Sequence, residues 1–428
     1  MLETQERPRR AIVLAVHLTA VTDGEFEASL TELRQLARTL GVTVIGTLTQ
    51  RRGAFDASAY VGEGKREDLK ALIGPPEDPR CELLLVEHEL SPSQARNLEK
   101  ESGCEVLDRT QLILEIFHQH ARSRAARAQV EIVRLEYLAP RLRESGKGGD
   151  RQRGGIGGKG AGESSLELDR RKIRDRIAEL TVELQAHEAE KRTQRARRSE
   201  RTGLERVALV GYTNAGKSTW MRALTGSEVY VADKLFATLD TTVRPLVPES
   251  VPRVLVSDTV GFIRNLPHGL VASFKSTLDE ALEASLLLHV VDASDPGYAR
   301  QLAVTDEVLD EIGARDVPRL LVFNKIDRAA DEAETRRVLL ERWPDAQVLS
   351  ALRPDDVRTL RAALIEHFSR DLVEAELRVT WDRQKLRAEI FAHCQVLAER
   401  SEDDAAFFRV RASKETLARL DSLLAQDR

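Results

Sequence analysis

The sequence predicts an α/β protein in four parts: a small α/β domain, an antiparallel helical hairpin, a doubly wound P-loop domain and a small C-terminal α+β domain. Three observations predict it. Short apolar runs alternate with amphipathic segments over residues 11–108 and again over 204–370, the pattern of parallel sheets covered by helices. A phosphate-loop signature at 211–219 (GYTNAGKST) follows the apolar run 207–210 and opens a helix-compatible stretch. Between the two sheets lie two apolar stripes at four-three spacing, joined by a glycine-rich basic segment.

At 428 residues the chain has room for two to four domains with their own cores. With 42% hydrophobic and 32% charged residues it reads as a globular protein rich in ion-paired helix faces. Aromatics at 4% argue against binding single-stranded nucleic acid mainly by base stacking. Cys81, Cys104 and Cys394 are far apart in sequence and in no metal-binding spacing, which supports neither a disulfide framework nor a zinc site and places the chain in a reducing cytoplasm. Residues 11–21 follow Arg9 and Arg10 as a signal peptide would, but His17 interrupts the run and a first strand is the better reading. No apolar run reaches the roughly 20 residues that span a bilayer.

The N-terminal domain, 1–108, reads as strands at 11–18, 43–48 and 82–86 alternating with helices at 30–40, 67–73 and 91–100, giving a mostly parallel sheet. Ser91 with Pro92 is a capped helix start. Gly62 to Lys65 (GEGK) reads as a second phosphate loop or, as such sequences more often are, a turn before a helix.

Over 109–203 the period changes. Ala121, Ala125, Ala128, Ile132, Leu135, Ala139 and Leu142 form one stripe; Leu166, Ile173, Ile177, Leu180, Leu184 and His187 form the other. The connection, 145–162, holds nine of the 25 glycines together with Lys147, Arg151, Arg153 and Lys159. The tip reads as a connector, a second nucleotide loop or an RNA probe. Residues 155–160 spell G-x-G-x-x-G, yet no strand precedes them, so the dinucleotide reading lacks its context. A plain hinge needs no basic run, whereas glycines beside arginines let a backbone approach phosphates closely; these four side chains are the RNA-binding candidates. Residues 121–201 hold 21 Lys and Arg against 13 Asp and Glu, a net of +8 in a chain of net −5, so the remainder carries −13. That asymmetry points to a localised polyanion contact, with a solvated helical face as the alternative.

Over 204–370 the motifs carry chemistry. The loop glycines turn backbone N–H groups toward phosphate oxygens, Lys217 reaches the β and γ phosphates, and Ser218 ligates Mg²⁺. Asn324-Lys325-Ile326-Asp327 ends another apolar run, and a carboxylate there accepts from the ring N–H and exocyclic amine of guanine. This makes the domain a GTPase. Asp258, Thr259, Val260 and Gly261 (DTVG) follow the strand at 254–256: Asp258 holds Mg²⁺ through water, and the Gly261 N–H senses the γ phosphate. Thr242, in a polar loop, closes over the metal with GTP bound, and Ser350 and Ala351 supply the remaining base-contacting loop. GTP contacts are thus expected from Gly211, Tyr212, Thr213, Asn214, Ala215, Gly216, Lys217, Ser218, Thr219, Asp258, Thr259, Val260, Gly261, Asn324, Lys325, Asp327, Ser350 and Ala351. Lys217, Thr242 and Gly261 are the catalytic candidates, and Ser218, Thr242 and Asp258 the Mg²⁺ set. The tail, 371–428, reads as a strand at 375–381, a helix at 383–399, a strand at 407–410 and a helix at 415–424, without an assigned role.

Several stretches resemble the HflX family: 211–219, 235–242 (LFATLDTT), 258–267 (DTVGFIRNLP), Leu90 to Gln94 with Asn97, Leu98 and Glu99, Asp108 to Thr110 with Leu112 to Leu114, and 155–157 onward to 168–171. The likeness runs from about residue 10 to the end of the GTPase domain. It implies a factor that binds the large ribosomal subunit and its rRNA and dissociates stalled or idle ribosomes under stress, with the hairpin tip reaching toward the peptidyl transferase centre. The stretch 160–166 (GAGESSL) departs from the family's proline and Thr-Gln pair, and no aromatic lies between Leu142 and Gly154.

Phe262 stands where many small GTPases carry a water-orienting glutamine, so unassisted hydrolysis is expected on the order of 10⁻⁴ to 10⁻² per second, with the ribosome as accelerator. Asn214 matches a position that coordinates K⁺ in related GTPases. Three readings compete with ribosome splitting: a nucleotide-switched scaffold gripping a protein through the helical arm, a ribosome-assembly GTPase, and an RNA-dependent ATPase. The last is disfavoured by Asn324 to Asp327 and by the lack of a second motor domain. A monomer is expected.

Overall fold

A computed structural model describes residues 8–75, 79–142, 165–199, 204–227, 235–236, 239, 242–267, 269–270, 280–370, 372–402 and 404–425. Lys147, Arg151, Arg153 and Lys159 lie outside the described residues. The chain forms two compact units. One is Met1–Glu188 with Lys234–Phe236 and Asn265–Phe274; the other is Ala189–Asp233, Ala237–Arg264 and Lys275–Arg428.

The first unit contains a four-stranded parallel sheet of β1 (Arg10–Leu18), β2 (Thr43–Arg52), β3 (Leu83–Val86) and β4 (Glu105–Asp108), in the order β2-β1-β3-β4. β1 and β3 are central, and their continuous apolar runs are buried on both faces. The crossovers are α1 (Asp23–Thr39), α2 (Glu63–Ile73) and α3 (Pro92–Ser102). Thr22 and Glu25 close a capping box at the start of α1, and Ser91 with Gln94 does the same for α3, with Pro92 in the first turn. Gly62 is the N-cap of α2, and its N–H donates to Gln50 Oε1 at 2.9 Å. The Gly62 to Lys65 stretch is therefore a helix start. Cys81 and Cys104, distant in sequence, bring their sulfurs to 3.7 Å in the core.

Three helices follow: α4 (Arg109–His120), α5 (Arg124–Leu138) and α6 (Ser165–Ser199). The first stripe differs from expectation. Ala121 caps α4 and is buried, Ser123 starts a new helix by accepting from the Ala126 N–H, and the buried side of α5 is Ala126, Ala128, Gln129, Val130 and Val133, of which the stripe included only Ala128. Ala125, Ile132 and Leu135 are only half-buried. A serine N-cap outcompetes helix continuation here, because its hydroxyl satisfies an orphan donor of the next helix. On α6 the expected stripe Ile173, Ile177, Leu180, Leu184 and His187 is the covered side, with Leu180 fully buried. Within the same unit, Phe236 lays its ring 4.5 Å from Phe117 and accepts at its carbonyl from His120 Nδ1 at 2.8 Å.

The second unit holds a six-stranded sheet in the order β10-β9-β8-β5-β7-β6. Its strands are β5 (Leu204–Gly211), β6 (Thr242–Pro245), β7 (Arg253–Asp258), β8 (Leu286–Asp292), β9 (Arg319–Asn324) and β10 (Gln347–Val348). Five run parallel; β6 pairs antiparallel with β7 at the edge. The helices are α7 (Lys217–Thr225), α8 (Tyr298–Ile312), α9 (Glu332–Arg342) and α10 (Pro354–Ser369). Val207, Leu209, Trp220, Leu224, Val254 and Leu288 lie in the core that holds β5 at the centre.

The tail folds as β11 (Val373–Thr380), α11 (Gln384–His393), β12 (Gln395–Ser401), β13 (Ala405–Ala412) and α12 (Lys414–Ala425). Its antiparallel sheet has the order β11-β13-β12. The helix expected over 383–399 stops at His393, and Gln395–Ser401 is an edge strand. Pairing with β13 overrides the helical periodicity, since Val396 completes the core around Phe408 and Val410.

Candidate functional site

The site forms where the carboxyl ends of β5, β7 and β9 meet the start of α7. Gly211 ends β5 with φ +143°, and a Cβ there would lie 2.2 Å from the Val290 carbonyl oxygen on β8. Only glycine lets the central strand enter the loop beside its neighbour. Asn214 takes φ +58° and Gly216 φ +103°, so the loop coils back before α7 begins at Lys217. The N-terminus of α7 opens onto this loop, and a helix N-terminus is an anion cradle.

Lys217 is buried, and its ammonium donates to the carbonyls of Gly211 at 3.0 Å and Tyr212 at 2.7 Å. Burial lowers its pKa to about 8, against the opposing pull of Asp258. An ammonium so poorly solvated gains strongly from phosphate oxygens.

Asp258, fully buried at the end of β7, accepts from Ser218 Oγ at 2.7 Å. The β6–β7 register places Thr242 opposite Asp258, so Thr242 opens an edge strand, where the sequence suggested a loop. A carboxylate with two hydroxyls is a hard oxygen donor set, which fits Mg²⁺ shared with phosphates.

Thr259 donates to the Leu209 carbonyl at 2.6 Å, tying the DTVG segment to β5. The Thr213 N–H donates to the Phe262 carbonyl at 2.7 Å, and the Phe262 N–H to that of Gly211 at 3.1 Å. Val260 and the Phe262 ring are buried, so Phe262 anchors this loop and offers no group to water. At Gly261 a Cβ would meet Thr213 Cα at 2.9 Å and Lys217 Nζ at 3.0 Å, so the loop backbone lies directly against the phosphate loop.

Asn324 ties two loops together: its Nδ2 donates to the Ala215 carbonyl at 2.8 Å, and its Oδ1 accepts from the Ala351 N–H at 3.0 Å. Lys325 donates to the Asn214 carbonyl at 2.6 Å and pairs with Asp292 at 2.7 Å. Asp327 stands exposed on the 3-10 turn Ile326–Arg328, which is anchored by buried Ile326. The Ser350 N–H is held by Asp356 at 2.7 Å. Thr219 is half-buried on α7. All the GTP and Mg²⁺ candidates thus lie in the second unit, on adjoining loops at one edge of its sheet.

Three contributors escaped sequence reading. Asp292, from β8, steadies Lys325. Arg353 grips Glu332 with both guanidinium nitrogens at 2.7 Å, holding that carboxyl down to about 2. His289, buried on β8 beside β5, is pushed to about 3, first by burial, then by the charges of Arg319 and Lys217. It stays neutral and adds no cation behind Lys217. None of the three falls in a spacing that a local motif could flag.

Residues 27–118 match the family described as GTP-binding GTPase N-terminal, 120–198 the GTP-binding GTPase Middle Region, and 206–325 the 50S ribosome-binding GTPase. A GTPase HflX of Gluconacetobacter diazotrophicus is 51% identical over 457 aligned positions, covering 99% of this chain and 100% of that protein. The GTPase HflX of Escherichia coli K12 is 38% identical, covering 95% and 94%. A crystal structure of a GTP-binding protein from Sulfolobus solfataricus in complex with GDP is 23% identical with a TM-score of 0.45, covering 83% and 99%. Sequence motifs, loop geometry and full-length relatives agree: the chain belongs to the HflX family of GTPases and is a GTP-hydrolysing enzyme.

Proposed function

We propose that this GTPase binds the large ribosomal subunit in its GTP form and uses that binding to dissociate stalled or idle ribosomes under stress. The observation that carries the proposal is the match of residues 206–325 to a 50S ribosome-binding GTPase. The basic, glycine-rich stretch at 145–162 supports it, as a probe for rRNA phosphates.

In the nucleotide site, the Lys217 ammonium exchanges the Gly211 and Tyr212 carbonyls for the β and γ phosphates. Asn324 and Lys325 hold the phosphate loop against the base loop, Asp327 reads guanine, and Ser350 with Ala351 closes over the base. Mg²⁺, when bound, neutralises charge on the phosphates; Ser218, Thr242 and Asp258 are the residues that would hold it. The Gly261 N–H turns toward the γ phosphate, so the DTVG segment reports whether that phosphate is present. With Phe262 buried as an anchor, the loop presents no general base, and hydrolysis waits for a partner that orders the site and excludes water. Splitting draws on binding energy, and hydrolysis releases the factor.

Asn214 takes a left-handed turn within the phosphate loop, and its side-chain oxygen would suit K⁺ there. Turnover in potassium is expected to exceed turnover in sodium; equal rates remove K⁺ from the mechanism.

Sedimentation with intact ribosomes tests the main proposal. The protein loaded with a non-hydrolysable GTP analogue should travel with large subunits and deplete intact particles, whereas the GDP form and Lys217→Ala should do neither. No association in any state at low salt would favour a nucleotide-switched scaffold for a protein partner. Binding insensitive to salt would point the same way, because phosphate contacts weaken steeply as salt rises.

A further inference from the structure

The two loops expected to hold the base leave neighbouring strands. β9 and β10 run parallel with Val348 opposite Phe323, so Asn324 to Asp327 and Ser350 with Ala351 begin side by side. Asn324 joins them once, by accepting from the Ala351 N–H at 3.0 Å. A single tie leaves two loops free to pivot about it. Beyond that tie Asp327 stands exposed on its turn, whereas Ser350 and Ala351 are buried.

A second tie closes further along both loops. Asp331 caps α9 by accepting from the Glu334 N–H at 3.0 Å, which makes Glu332, five positions after Asp327, the first residue of the helix. On the other side the Arg353 N–H donates to the Ser350 carbonyl at 3.1 Å and the Leu352 N–H to Ser350 Oγ at 3.2 Å, a tight turn that ends at Arg353, two positions after Ala351. Arg353 Nη1 and Nη2 then donate one to each Glu332 oxygen, both at 2.7 Å. Arg336, one turn along α9, donates to the Val348 carbonyl at 2.6 Å and to Glu332 Oε1 at 3.3 Å, so the same carboxylate is also tied to the end of β10.

Two features set this fork apart from an ordinary surface ion pair. Arg353 occupies the N-cap of α10, where Ser, Thr, Asp or Asn is preferred, and its side chain makes no capping bond. It also adds a cation at the positive end of the helix dipole. Arginine is thus locally the wrong residue here, and such violations mark positions where function decides. The second feature is geometry. With side chains 43% and 37% exposed, an isolated pair would contribute little to stability, but a planar fork on both carboxylate oxygens fixes distance and orientation together.

We propose that Glu332 and Arg353 are positioning residues for guanine recognition: their fork holds the turn bearing Asp327 in register with Ser350 and Ala351, so that the bond to the exocyclic amine of guanine forms. The inference rests on the reading of these loops as the base site. The ring N–H and the amine must both reach one carboxylate, and hydrogen bonds weaken steeply once misaligned. A base with the ring N–H alone tolerates a displaced carboxylate better.

Displacement of a fluorescent GDP derivative from the full-length protein, by GDP and by IDP, reads the discrimination, because hypoxanthine keeps the ring N–H and lacks the amine. Glu332→Ala and Arg353→Ala should each lower the GDP-to-IDP affinity ratio about 5- to 30-fold, the effect of misaligning one charge-assisted hydrogen bond. The double variant should lose no more than Glu332→Ala, since both changes break the same fork. Arg353→Lys, which keeps the charge and lacks the fork, should lose most of the ratio too. A general loss of stability would weaken GDP and IDP alike and leave the ratio where it was. An unchanged ratio in both single variants, or losses that multiply in the double, would overturn the proposal. Asp327→Asn, run alongside, separates the two readings. If it too leaves the ratio unchanged, the base site itself is misassigned and the proposal goes with it; if it lowers the ratio and the fork variants do not, the positioning role alone falls.

Discussion

Replacing Asp327 with asparagine is expected to turn the enzyme from a guanine reader into a xanthine reader. A carboxylate offers two acceptors to the ring N–H and the exocyclic amine of guanine. An amide offers one acceptor and one donor, which matches xanthine, where a carbonyl replaces the amine. GTP affinity should fall by about 10² to 10⁴, and XTP should become the better substrate. The swap is isosteric on an exposed turn anchored by buried Ile326, so folding should be untouched. Competition of GTP and XTP for a fluorescent nucleotide measures it; a variant that still prefers GTP would remove Asp327 from base recognition.

Gly216→Ala is expected to cost nearly as much through a different route. At φ +103° any L side chain is strained, and the added Cβ would lie 2.1 Å from Asn324 Nδ2. Asn324 must then give up its bonds to Ala215 and Ala351, which join the phosphate loop to the base loop. Losing two buried hydrogen bonds and adding backbone strain amounts to roughly 3–6 kcal/mol, shared between stability and binding. Isothermal titration should show at least about a 100-fold loss of GDP affinity, equivalent to ~2.7 kcal/mol. Titration curves that superimpose on the unaltered enzyme's would mean that the loops do not depend on Asn324.

Much of this site was legible because phosphate and guanine recognition use contiguous residues. Gly211 to Ser218, Asp258 to Gly261 and Asn324 to Asp327 each follow an apolar strand, and each motif keeps its functional groups within a few consecutive residues. Local chemistry also placed the capped start of α3 and the covered stripe of α6. It failed where neighbours decide. Thr242 looked like loop and is strand because β7 offers it an edge to pair with. Gln395–Ser401 carried a helical period and is strand because β13 needed a partner. The stripe at 121–142 broke because Ser123 caps a new helix.

By itself, then, the sequence determined the fold class, the GTPase assignment, the order of the candidate nucleotide loops and the family resemblance. All of these rest on short-range pattern: strand period, helix period and motif spacing. Only the tertiary structure decided that Phe262 is a buried anchor, that His289 stays uncharged behind Lys217, that Asn324 spans two loops, and that Arg353 forks onto Glu332. Each depends on strand order and register, which bring together residues tens to hundreds of positions apart, and no periodicity within a segment encodes which strand will lie beside it.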